Sequence, residues 1–255
     1  MSTQQKCKII SLFFLCVMLF VSTTAKAAFT FSDIEYWIGT GSNESAMVID
    51  WNDGINPVSL AWGYRWDGTV TGEDMLTAIA GSGFYREASG GAMGDPITGE
   101  DERLFARISD WGWGMSVFGL GYDVDSDGGG FVSGYEDSLE PYTNENGYAI
   151  DSDDHYKEGC YSGYWSYWLT SGEDPLNNWV SSFVGINDRV LSDGVWDGWS
   201  FAAGEWGSET SPDEPVAAAI PEPATLAMLG FGLFGLALWG KIPQLINKRK
   251  VRWQQ

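Results

Sequence analysis

Hydrophobic positions fall into three regimes along the chain. A dense apolar run, Ile9 to Val21, lies near the start, and an uncharged run of 17 residues, Ala224 to Gly240, lies near the end. Between them, apolar residues come in short periodic groups. Ser59 to Trp66 alternates, with Leu60, Trp62, Tyr64 and Trp66 on one face and Ala61, Gly63 and Arg65 on the other. This is the period of a β-strand. Ala46 to Trp51 is almost continuously apolar, which predicts a central strand buried on both faces, and Asn52-Asp53-Gly54 after it is a turn signal. Asp33 to Ile38 predicts an earlier strand. Thr71 stands three residues before Asp74, the spacing of a capping box. Met75, Leu76 and Ile79 follow at helical spacing, and Gly81 and Gly83 end the pattern, so one helix is predicted here.

Further along, Ser89 to Glu102 has loop composition. Arg103 to Tyr122 predicts two strands joined near Asp110 to Gly114, with a short helix at 102–108 as the alternative. Ser126 to Asp154 is mostly acidic loop. Gly163 to Leu169 is aromatic on both faces and predicts a buried strand. Trp179 to Val184 and Arg189 to Leu191 are short strands, and Asp193-Gly194 turns into a last strand, Val195 to Phe201. The resulting class is α+β, mainly β: an antiparallel sheet with one short helix, plus one C-terminal transmembrane helix.

The two apolar runs set the topology. Lys6 and Lys8, the run Ile9 to Val21, and Ala25-Lys26-Ala27 have the layout of a cleaved secretory signal peptide over residues 1–27. The 17 residues at 224–240 span about 25 Å as a helix, slightly less than a bilayer's hydrocarbon core. Lys248, Arg249, Lys250 and Arg252 behind them hold that end in the cytoplasm. Residues 28–206 then form a β-rich acidic ectodomain on the far side of the inner membrane. Residues 207–220, rich in Ser, Pro, Glu and Ala, form a flexible linker.

The tail begins with Pro221-Glu222-Pro223, followed by the apolar segment and the basic residues. In that order of parts, residues 221–255 resemble the PEP-CTERM sorting signal of exported Gram-negative bacterial proteins. The resemblance implies recognition by an exosortase-type membrane protease. It also implies an inner-membrane anchor before processing, and a cell-surface or extracellular destination afterwards. Separately, Tyr164-Trp165-Ser166-Tyr167-Trp168, with Val184-Gly185, Asp193-Gly194 and Gly198-Trp199-Ser200-Phe201, looks like the end of the β-grasp domain of transcobalamin-type binders. That likeness implies a fold for this region and carries over no binding residue.

Charge narrows the partners. Residues 28–220 hold six basic and 34 acidic residues, a net charge of −28. Such a surface repels nucleic acid and anionic lipid and attracts divalent cations. Asp123-Val124-Asp125-Ser126-Asp127-Gly128 places carboxylates at alternate positions ahead of a glycine, as a loop that wraps a hard cation requires, so Asp123, Asp125 and Asp127 are candidate Ca2+ ligands. The second half of an EF-hand is missing, because position twelve is Gly134 and Glu136 lies two residues too far. Asp151, Asp153 and Asp154 are a second acidic cluster that could contribute from outside the loop. The bland alternative is a solvated acidic turn.

Cys7 and Cys16 leave with the signal peptide, and Cys160 is then alone, so no internal disulfide forms. His155, the one histidine, reads as an ordinary residue of an acidic surface loop. No nucleophile elbow or zinc motif accompanies it. Twelve tryptophans lie in the ectodomain, either as core fillers or as a surface aromatic patch. Two functions fit. The first is a non-catalytic exported surface or matrix protein whose Trp-rich domain binds polysaccharide or a small molecule. The second is a glycoside hydrolase-like enzyme acting on exopolysaccharide, for which no carboxylate pair stands out.

Overall fold

The computed structural model describes residues 28–80, 84–88, 103–110, 115–126, 130–132, 147–159, 163–171, 177–204 and 207–220. In chain order these contain β1 (Trp37–Gly39), β2 (Asn43–Asp50), β3 (Ser59–Trp66), the helix α1 (Gly72–Ala80), β4 (Phe84–Ala88), β5 (Leu104–Asp110), β6 (Met115–Tyr122), β7 (Phe131–Val132), β8 (Tyr148–Ala149), β9 (His155–Glu158), β10 (Tyr164–Ser171), β11 (Val180–Ser181), β12 (Val195–Ala202) and β13 (Val216–Ala217). The domain is mainly β with one α-helix among the described residues. No helix of these residues is long and apolar enough to cross a membrane. The predicted signal peptide, the span at 224–240, Cys160, and Trp111, Trp113 and Trp206 lie outside them.

The larger sheet runs β1-β3-β2-β12-β10-β11, with β13 also paired to β3. β2 sits inside it, and β3 covers the range read from its alternation. The sheet is mixed, which corrects the expectation of antiparallel pairing. β12 runs parallel to β2, with Val195 opposite Ser45, and β1 and β13 run parallel to β3. The cause is topological. β12 follows β3 only after the helix and a second sheet, a connection long enough for the crossover that a parallel pair needs. The second sheet has the order β4-β5-β6-β9, and β7 pairs with β8.

Helix α1 starts where its capping residues predict. The Thr71 N–H donates to Asp74 Oδ2 at 2.7 Å, and the Asp74 N–H donates back to Thr71 Oγ1 at 3.3 Å. Upstream the same chemistry overrides alternation. Thr30 donates its N–H to Asp33 at 2.8 Å and holds a 3-10 turn over Phe31–Asp33, so the strand expected from Asp33 begins only at Trp37. Residues 104–110 form β5, not the alternative helix.

The main core lies between one face of the large sheet and a layer made of α1 and the second sheet. Trp51, Trp62, Met75, Leu76, Ile79, Leu104 and Ile108 are all fully buried there. Trp51 ties the layers by donating its Nε1–H to the Leu120 carbonyl at 2.9 Å. The other face of the large sheet buries Ala46, Val48, Ala61 and Trp196 beneath Phe29, Phe31, Trp37 and Trp179. Gly63 is required here, because a Cβ would stand 2.4 Å from the Trp37 ring.

The segment 207–220 is not a loose linker. The Asp213 N–H donates to Asp50 Oδ2 at 2.8 Å, β13 adds to the edge of β3, and the Ala218 N–H donates to the Ala61 carbonyl at 2.9 Å. Its composition suggested flexibility, but the unpaired edge of β3 supplies the backbone partners that order it.

Candidate functional site

Two places on the domain gather chemistry. The first is the end of the β6–β9 pair. Tyr122 stands opposite His155, so Asp123, just past β6, comes beside Asp154, just before β9. Asp154 Oδ1 accepts the Val124 N–H at 2.8 Å, and Asp123 accepts the Ser126 N–H. Asp123, Asp125 and Asp154 each present an oxygen within 4.8 Å of the others. Of the sequence-predicted ligands, Asp123 and Asp125 are brought together, whereas Asp127 lies outside the described residues. The third carboxylate comes from the second acidic cluster. Asp154 is 2% exposed. Burial first, then the charges of Asp123, Asp151 and Asp125, push its carboxyl up to about 6.

β9 also corrects the reading of His155. The side chain is fully buried, stacked on Trp51 with ring centroids 4.5 Å apart, and its Nδ1 lies 3.0 Å from Asp53 Oδ2. Further along β9, Glu158 makes a second buried polar contact. Glu158 accepts from Arg107 Nη1 at 3.0 Å and from the Tyr156 hydroxyl at 3.1 Å, and both charged side chains are buried. Sequence reasoning missed these contacts because His155 to Glu158 has strand length but no apolar alternation. The available signal was scarcity: a lone histidine and few cations in so acidic a domain tend to be structurally committed.

The second place is a cleft of about 270 Å³ between β6, β10 and the segment 181–186. Tyr164, Trp165, Tyr167 and Trp199 line it together with serine hydroxyls, among them Ser116 and Ser181. Glu209 is the one charged group among the described lining residues. It accepts a hydrogen bond from the Tyr164 hydroxyl, which lowers its pKa. Behind the wall, Tyr167 stacks on Trp199 at 4.3 Å and donates its hydroxyl to Asp197. Burial, and then the Asp197 charge, push the Tyr167 hydroxyl up. Asp197 is itself buried and held by Arg189 Nε and Nη2, each at 3.3 Å. Burial raises its carboxyl to about 6, against the opposing pull of Arg189 and Tyr167. In the chain, between the lining residues Ser182 and Val184, Phe183 is 96% exposed.

The described tryptophans serve mainly as core. Trp51, Trp62, Trp66, Trp165, Trp196 and Trp199 are buried, and Trp37, Trp168 and Trp179 are half-buried. None of these described indoles forms an exposed patch. Among the described residues, the aromatic ring that does face solvent fully is Phe183.

Fold and sites together define a mainly β domain with an all-oxygen acidic cluster and an aromatic, hydroxyl-bearing cleft. The chain's address comes from its tail, where the family described as the PEP-CTERM protein-sorting motif matches residues 219–241. The chain therefore carries a signal of exported proteins that is recognised by exosortase, a membrane protease, and that anchors its bearer in the membrane before processing. The match starts immediately after Ala218, which is still hydrogen-bonded to β3. No curated protein and no solved structure matches the chain, and the β-grasp likeness finds no counterpart there.

Proposed function

We propose that this chain is a non-catalytic binding protein of the cell surface or extracellular matrix, whose domain takes a neutral, hydroxyl-rich saccharide in the cleft between β6 and β10. It is held in the inner membrane through 224–240 until exosortase releases it from the sorting motif.

The carrying observation is the cleft's lining. Aromatic rings offer apolar faces for the C–H face of a sugar, and hydroxyls and one carboxylate offer donors and acceptors for its rim. No cation lines it among the described residues, and the domain as a whole is strongly anionic, so an anionic ligand is disfavoured. The volume falls just under the usual range for drug-sized ligands, which suits one end or one unit of a glycan. In this reading the exposed Phe183 ring stacks on the next unit.

The binding reading is favoured over the hydrolase reading by the carboxylates. Glycoside hydrolysis generally needs two carboxyl groups flanking the bond. Glu209 stands in the cleft, but Asp197 is committed to Arg189 and Tyr167 behind it.

The test is an array of neutral glycans probed with processed protein released from cells, followed by titration calorimetry. A neutral glycan should bind, and Phe183→Ala and Glu209→Gln should each weaken it at least tenfold without altering the fold by circular dichroism. Binding that ignores both substitutions would refute the cleft, and shortened glycan products would favour the hydrolase.

A further inference from the structure

Asp154 holds a buried carboxylate with one of its two oxygens unpartnered among the described residues. Oδ1 takes the Val124 N–H, while Oδ2 is shut off from water and has no hydrogen-bond partner among the described residues. An unsatisfied buried oxygen of this kind is costly, and more so on an ionised group. A cation would satisfy it and at the same time offset the charges of Asp123 and Asp125, whose ligand oxygens lie within 4.8 Å. Like-charged carboxylates packed this closely repel one another, and a cation among them relieves the repulsion.

We propose that Asp123, Asp125 and Asp154 bind one Ca2+ ion that fastens the turn after β6 to the start of β9. The donor set is all oxygen, with no thiolate or imidazole, and this selects a hard cation over zinc or copper. Three carboxylates are few for Ca2+, which completes its shell readily with carbonyls and water. Its flexible geometry tolerates ligands drawn from two separate segments better than the strict octahedron of Mg2+ does.

The place matters for the domain. Asp154 adjoins His155, whose imidazole meets Asp53 from the turn after β2. An ion at Asp154 therefore steadies the strand that links the second sheet to the first. The proposal is independent of the cleft, which lies on β6, β10 and 181–186.

The test uses the processed protein stripped with chelator and titrated with CaCl2 or MgCl2 alone. Calorimetry should show one Ca2+ per chain, bound at least tenfold more tightly than Mg2+, and Ca2+ should raise the melting temperature. Asp154→Asn should lose at least tenfold in Ca2+ affinity, yet without metal it should melt no lower than the stripped wild type, because it removes one of the crowded charges. The exposed Asp125→Asn gives a second reading in a variant whose folding is not at risk. No Ca2+ binding by the wild type, equal affinity for Mg2+, or unchanged Ca2+ affinity in both variants would overturn the proposal.

Discussion

His155 Nδ1 meets Asp53 Oδ2 at 3.0 Å across 102 residues of sequence, joining β9 of the second sheet to the turn after β2 of the first. Both side chains are almost completely withdrawn from water, and Trp51 covers the imidazole. Removing one partner leaves the other polar and buried. Asp53→Ala should therefore cost about 2 kcal/mol of stability. Urea unfolding of the two proteins measures it, and a loss within experimental error would show that the pair does not join the sheets energetically.

Asp197 gives the domain a pH dependence with a definite sign. Its folded pKa of about 6 lies above the ordinary 3.8, so between those values the native state holds more protons than the unfolded chain. The stability this residue contributes is present below about pH 4 and lost as pH rises through about 6. A shift of roughly two units corresponds to about 3 kcal/mol. Asp197→Asn removes the titration and keeps an acceptor for Arg189. Relative to wild type, the variant should gain about 3 kcal/mol between pH 4 and pH 7. Parallel stability profiles for the two proteins would contradict the assignment.

The N-terminus of α1 is a feature of both sequence and structure. Thr71 and Asp74 bond reciprocally, so Thr71→Ala should lower stability by about 1 kcal/mol. Asp74→Asn should cost less, because the amide oxygen still accepts. Chemical denaturation of both variants gives the comparison, and equal losses would argue that the Asp74 charge, not the cap geometry, carries the effect.

What could be read in advance divides along a physical line. Local signals were sufficient for β3, whose alternation spans Ser59–Trp66, for β2 as an inner strand, and for the Thr71 cap of α1. Nonlocal pairing was not legible. Nothing around Val195 says that it lies parallel to Ser45, and nothing in Gly207 to Ile220 says that the edge of β3 is waiting for it. The acidic site shows the same division. Alternate spacing pointed to Asp123 and Asp125, but the partner at Asp154 is fixed by the β6–β9 register. His155 was misjudged because its acidic neighbours suggest a surface loop, while its actual surroundings come from Trp51 and Asp53 on another sheet.

The protein's destination depends on the tail acting as a sorting signal and not as a simple anchor. Residues 219–241 match the motif, and Pro221 and Pro223 can be changed without touching the apolar run or its basic flank. The double substitution Pro221→Ala with Pro223→Ala should leave insertion intact and block processing. Fractionation and blotting of cells expressing either form is the direct measurement. The expected result is a precursor accumulating in the inner membrane with little or none released. Release of the double variant as efficient as that of the wild type would contradict sorting through this motif.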